Sequence, residues 1–208
     1  MNARKIGSVL FSVTVLAALA AAATAAEEKA GVYPVDQGRV VAAAPAGPSL
    51  IVKVFSTENT DFGTGEDESK EKKHAVAEQM KSTAPPAMSQ SLVTQLQESK
   101  AFASVAAFEE GKVPEGALVL EGEFTMLNPG SRGKRYWVGF GAGKSKICVK
   151  GRVVDAAGKE LVTFNHCRVG VMGWFGGRAE GMMFTDVAAT AEKVSAFLTG
   201  WSKGEYRP

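Results

Sequence analysis

Apolar residues recur along this chain with two different periods, and the places where the period changes mark its elements. Leu50-Ile51-Val52-Lys53-Val54-Phe55 is a β-branched apolar run that predicts a strand buried on both faces. Thr57 to Lys73 is polar, with Glu66, Asp67 and Glu68 beside Lys70, Lys72 and Lys73, and reads as a solvated stretch. His74 to Lys81 fits one short helix; Pro85-Pro86 then predicts a break before a second helix reaching about Lys100. In that second helix Met88, Leu92, Val93 and Leu96 form one apolar stripe. Phe102 to Phe108 reads as a short strand. From Ala117 to Leu127, the residues Leu118, Leu120, Gly122, Phe124 and Met126 alternate with Val119, Glu121, Glu123 and Thr125. This is the period of a half-buried strand, closed by Asn128-Pro129-Gly130. Phe184, Val187, Ala191, Val194, Phe197, Leu198 and Trp201 return to helical spacing and predict a final amphipathic helix packed on a sheet. Residues 27–48, rich in alanine, glycine and proline, show neither period and read as a flexible leader. The fold expected is α+β: a two-layer α/β sandwich with a mostly antiparallel sheet of about five strands. Two or more helices pack on it, within a single domain at 49–203.

The hairpin around Asp155-Ala156-Ala157-Gly158-Lys159 permits a register to be derived. Ile147, Val149 and Val153 share one face of the first arm, and Val162 and Phe164 share one face of the second. Bringing those faces together with a compact turn sets Val153 opposite Val162 and Gly151 opposite Phe164. Cys148 then falls opposite Cys167 on the polar face. Directly facing Cβ atoms are about 4.5 to 5.5 Å apart, which a disulfide can close. Pairing is expected in an oxidising compartment, and two reduced thiols are the alternative where no oxidant is met. His166 points to the opposite face from Cys167, and there is no Cys-x-x-Cys, so redox catalysis is not indicated.

The compartment is indicated by the N-terminus. Arg4 and Lys5 precede an uncharged run from Ile6 to Ala23, and Ala23-Thr24-Ala25-Ala26 leads into Glu27-Glu28. Charged start, apolar middle and small-residue exit are the parts of a cleavable export signal, read here as residues 1–26. The mature chain is therefore expected in the periplasm or secreted. With no cysteine at the exit, a lipid anchor there is not expected. Without Arg4 and Lys5 the 24 basic residues become 22, equal to the 22 acidic ones. A neutral exported chain has no general attraction for phosphate polymers, so nucleic acid is not an expected partner.

Val138-Gly139-Phe140-Gly141-Ala142-Gly143-Lys144-Ser145 resembles a phosphate loop, but valine stands where a P-loop needs its first glycine. A dinucleotide fingerprint fails as well, because its third glycine position is Lys144. No nucleotide and no other cofactor is implied. The hairpin register extended outward brings Val138 to Lys144 alongside Val171-Met172-Gly173-Trp174-Phe175-Gly176-Gly177. Trp137, Phe140, Trp174 and Phe175, bordered by Arg135, Lys144 and further cations, form the candidate binding surface. Amphipathic aromatic anchors with a cationic rim suit another envelope protein or a membrane surface. The competing reading is that the glycines allow close packing and the aromatics are core. His74 and His166 lack metal-ligand spacing, and no nucleophile elbow occurs, so neither a metal site nor a catalytic residue is indicated. Glu121 and Glu123 share a strand face, a pattern commoner in solvated polar faces than in acid–base pairs.

Leu120-Glu121-Gly122-Glu123, Asn128-Pro129-Gly130-Ser131-Arg132, Gly139 to Lys144 and Val154-Asp155-Ala156-Ala157-Gly158-Lys159-Glu160-Leu161 together resemble DUF4410, a bacterial envelope family of unknown function. Many members look like lipoproteins, whereas this chain lacks the anchoring cysteine. The resemblance implies location and fold and carries no functional residue. The expected role is a non-enzymatic binding or assembly factor using the Gly/aromatic surface. An enzyme of unrecognised type, which a deep polar pocket around Glu121 and Glu123 would favour, and a peripheral membrane binder are the alternatives.

Overall fold

Leu50, Ile51 and Val52 are all buried, and around them the chain builds a six-stranded sheet in the computed structural model. The structure describes residues 33–63, 70–128, 145–170 and 179–208, the side chains of 70–76 and 179–183 excepted. These residues lie within one compact unit, Gly31–Pro208. The elements are β1 (Gln37–Val40), β2 (Ser49–Val52), α1 (Lys70–Ser99), β3 (Ser104–Ala107), β4 (Leu118–Asn128), β5 (Lys146–Val154), β6 (Glu160–Val169) and α2 (Ala179–Ser202).

The strand order is β1-β6-β5-β4-β2-β3. The sheet is mixed, where a mostly antiparallel one of about five strands was expected. β2 pairs parallel with both β3 and β4, while β4, β5, β6 and β1 run antiparallel in turn. A helix between β2 and β3 carries the chain back to its starting edge, which makes the two strands parallel. The sixth strand is β1, drawn from the stretch expected as a leader. Gln37-Gly38-Arg39-Val40 offers one large apolar side chain, too little for a readable period, and is held at the edge by pairing from Gln37↔Asn165 to Val40↔Val162. Asp36 strengthens that join by accepting the Cys167 backbone N–H at 2.6 Å.

Both helices cover one face of the sheet, α1 against β2 and β3, α2 against β5 and β6, and each against the other. α1 passes unbroken through Pro85-Pro86, correcting the expected break. Met80, Ala84, Met88, Leu92 and Leu96 form a buried stripe that spans the prolines. Burying each of the four larger side chains contributes about 1.5–3 kcal/mol. Together they offset the roughly 3 kcal/mol that each interior proline costs through its lost hydrogen bond and clash. On α2, Val187, Ala191, Val194, Phe197, Leu198 and Trp201 are buried as the spacing predicts, but Phe184 is 44% exposed. The inward position near that end is taken instead by Asp186, whose carboxylate accepts a hydrogen bond from Ser145.

The β5–β6 hairpin adopts the derived register, with Val153↔Val162, Gly151↔Phe164 and Cys148↔Cys167. On β4 the alternation holds through Phe124; a bulge between Phe124 and Met126 then shifts the phase by one residue. Leu127 therefore enters the core in place of the expected Met126.

Candidate functional site

Helices cover one face of the sheet, and on the other the alternation of β1, β6, β5 and β4 presents polar side chains in two cross-strand rows. One row is Gln37–Asn165–Lys150–Glu123 and the next is Arg39–Thr163–Arg152–Glu121. Between and around them lies a hollow of about 610 Å³, also bordered by Glu160. Its shape follows from the residues that separate the rows. Gly38, Phe164, Gly151 and Gly122 stand side by side across the four strands, and their helix-facing side is packed with aromatic rings. A Cβ at Gly38 would meet the Phe197 ring at 2.7 Å, and one at Gly122 would strike Phe55. At Gly151 it would lie 2.5 Å from the Phe164 ring and 2.7 Å from the Glu121 carbonyl oxygen. Glycine lets the backbone settle onto those rings, drawing the sheet away from solvent along this line.

The β4 end of the hollow is a closed set of ion pairs. Lys53 Nζ is 2.6 Å from Glu121 Oε1, Arg152 reaches Glu121 Oε2 through Nε at 3.3 Å and a terminal nitrogen at 3.1 Å, and Lys150 meets Glu123 at 2.8 Å. The Lys53 hydrogen bond above all, then Arg152, holds the Glu121 carboxyl below its ordinary value against the opposing effect of burial. Glu121 and Glu123 thus share a face as expected, but a carboxylate held ionised between two cations is a counter-ion, unsuited to donating a proton near neutral pH.

Arg135, Trp137, Phe140, Lys144, Trp174 and Phe175 all lie outside the described residues. The chain that flanks their two segments is described. Gly170 donates its backbone N–H to the Ser145 carbonyl at 2.8 Å. Ser145 Oγ donates to Asp186 Oδ2 at 2.6 Å, and Arg168 Nε meets Asp186 Oδ1 at 3.1 Å. A Cβ at Gly170 would collide with Ser145 Oγ and lie 2.5 Å from Asp186 Oδ2. The residue following the first segment and the residue preceding the second are therefore locked to each other and to α2. Three pairs further along the hairpin, Cys148 and Cys167 form a disulfide with Cα atoms 4.0 Å apart.

His166 faces the helices, as derived, and is buried. Burial lowers its pKa, opposed by the Asp36 carboxylate, whose Oδ1 lies 3.4 Å from Nδ1. Among the described residues no three His, Cys, Asp or Glu side chains gather as a metal site would need, and no helix is long and apolar enough to cross a membrane.

The family model described as "Domain of unknown function (DUF4410)" matches residues 50–173, from β2 through β6. The chain belongs to the DUF4410 family. No curated protein sequence matches it. Among solved structures, the PelC dodecamer from Paraburkholderia phytofirmans, in a point-variant and a second crystal form, superposes with TM-scores of 0.46 and 0.45 at 14% identity. The alignments cover 77% and 76% of this chain and 98% and 97% of those. A protein from Xanthomonas campestris aligns with a TM-score of 0.40 at 13% identity, over 80% of this chain and 93% of that one. The DUF4410 match ends just beyond Gly170, so it takes in the whole β5–β6 hairpin and both polar rows except their β1 members.

Three elements of the site escaped sequence reasoning. The polar rows needed β1, which has no period, and the pairing of β4 with β5, which alternation alone does not specify. The Asp186 lock left a faint signal, a lone acidic residue beside the apolar stripe of α2. The hairpin partners Lys150↔Asn165 and Arg152↔Thr163 were already implied by the derived register.

Proposed function

We propose that this DUF4410 member is an exported envelope protein that acts as a non-catalytic binding or assembly factor. The export signal read at residues 1–26 and the Cys148–Cys167 disulfide support a working place outside the cytoplasm, in the periplasm or beyond. The observation that carries the binding reading is the lock joining Ser145, Gly170 and Asp186. A buried carboxylate, a glycine with no room for a side chain and a nearby disulfide fix the departure points of the two Gly/aromatic segments. Rigid support beneath a pair of segments bearing Trp137, Phe140, Trp174 and Phe175 is what a recognition surface requires. The ion-paired state of Glu121 and Glu123 favours binding over acid–base catalysis. The test is photo-crosslinking in cells from a reactive residue placed at Phe175. One defined protein adduct supports an assembly partner, and lipid adducts alone favour the membrane-surface reading. Exclusively internal adducts would overturn the proposal by showing the aromatics to be core.

A further inference from the structure

The hollow on the open sheet face is lined by three cations, Arg39, Lys150 and Arg152, and three carboxylates, Glu121, Glu123 and Glu160, but the two signs are spread unevenly along its two rows. Lys150 has three N–H donors and directs one contact to Glu123; Arg152 directs two of its nitrogens to Glu121. Arg39, exposed on the edge strand, has no carboxylate within ion-pair reach among the described residues. Its five donors meet no partner among the described residues. Gln37 and Asn165 add amide N–H groups, and Thr163 adds a hydroxyl, on the same side of the hollow. The β1, β6 and β5 positions of the two rows therefore hold three cations and no carboxylate. Both acidic row members stand on β4, already engaged.

Arg39 and Arg152 flank Thr163 on strands two spacings apart, with Cα atoms ~10 Å from each other. Two extended guanidinium forks can close on a single oxyanion across that span, and a guanidinium matches carboxylate or phosphate geometry with paired N–H donors. The two contacts to Glu121 orient Arg152 and leave its other terminal nitrogen free for a ligand. A hollow of about 610 Å³ has the capacity of a small-molecule site, for which about 300–1,000 Å³ is usual. We infer that this hollow binds a small ligand carrying an oxyanion group, carboxylate or phosphate, gripped by Arg39 and Arg152 across Thr163. The site shares no residue with the Gly/aromatic segments and stands or falls independently of them.

The experiment titrates the disulfide-bonded protein with inorganic phosphate and with citrate at constant ionic strength. The backbone amide resonances of Thr163 and Asn165 report occupancy. Saturable shifts are expected, weakened at least about tenfold in Arg39→Gln, as loss of a charge-assisted contact implies. Lys81→Gln, which removes an exposed cation from α1, should leave the titration unchanged. Phosphatidylglycerol vesicles form the second arm. Arg39-dependent sedimentation with vesicles, without saturation by phosphate or citrate, identifies the oxyanion as a lipid headgroup; saturation by either solute identifies it as a free ligand. Arg39→Lys, which keeps the charge and loses the fork, should also weaken binding and serves if Arg39→Gln fails to fold. No saturable response in either arm, or a response indifferent to both Arg39 variants, overturns the inference.

Discussion

The same four strands, β1, β6, β5 and β4, show two different chemistries on their two sides. On the helix side Val149, Val153, Val162, Phe164, Leu120 and Phe124 are buried with the aromatic and aliphatic stripes of α1 and α2. On the other side the intervening residues are Arg, Lys, Glu, Gln, Asn and Thr, most of them half-buried or exposed. Alternation assigns one residue in two to each side, so a single stretch of sequence specifies both a core and a solvent-facing array. The lesson is a division of labour: stability resides on the helix side, and the open side is available for recognition. The disulfide is the exception, a covalent tie on the open side.

Substitutions that break this comparison rank by how deeply they cut the helix side. Trp201 is fully buried and donates Nε1–H to the Ala42 carbonyl at 2.9 Å. Trp201→Ala should therefore lose about 3–5 kcal/mol in urea unfolding, as large cavities do. The exception comes next. Cys148 and Cys167 lie 19 residues apart, and closing a loop of that size contributes roughly 3 kcal/mol; Cys148→Ser should show that loss, and reduction of the native protein the same one. Gly151→Ala should cost about 1–3 kcal/mol, an overpacking penalty, because its Cβ meets the Glu121 main chain as well as a ring. A tolerated alanine there would mean that the hollow does not depend on the glycine row.

His166 sharpens the comparison through pH. Its imidazole is buried on the helix side, and burial lowers its pKa. Asp36 opposes that shift, and Lys193 and Arg168 reinforce it. A base with a lowered folded pKa binds fewer protons folded than unfolded, so stability falls with pH once the unfolded imidazole begins to protonate, below about 6.5. Glu121 acts at lower pH. Its lowered pKa stabilises the fold above the ordinary carboxyl range and that contribution is lost on further acidification. Thermal unfolding between about pH 7 and 5.5 should therefore show a downward slope that His166→Gln flattens and that Glu121→Gln leaves in place.

The helix side was the more legible one in the sequence. Val149, Val153, Val162 and Phe164 are apolar at period two, and that pattern alone determined the hairpin register and the Cys148–Cys167 pairing. Legibility failed where backbone and burial compete. Pro85-Pro86 predicts a break by local rules, yet the stripe from Met80 to Leu96 carries α1 through it. At Thr125 a bulge exchanges Met126 for Leu127, an event no periodic pattern announces. The open side was hardest, since polar residues read as generic surface until the neighbouring strand is known. Glu121 and Glu123 were visible as a pair, but their cations come from β5 and from Lys53, and Arg39 arrives on a strand whose sequence has no period.

The division between the two sides is tested most directly by a triple variant, Arg39→Thr, Lys150→Thr and Asn165→Thr, which keeps strand propensity while stripping the open face. Measured by urea unfolding beside Trp201→Ala, it should stay within about 1 kcal/mol of the native protein, because exposed ion pairs contribute little. A loss comparable to that of Trp201→Ala would contradict the account, placing the polar rows among the determinants of the fold.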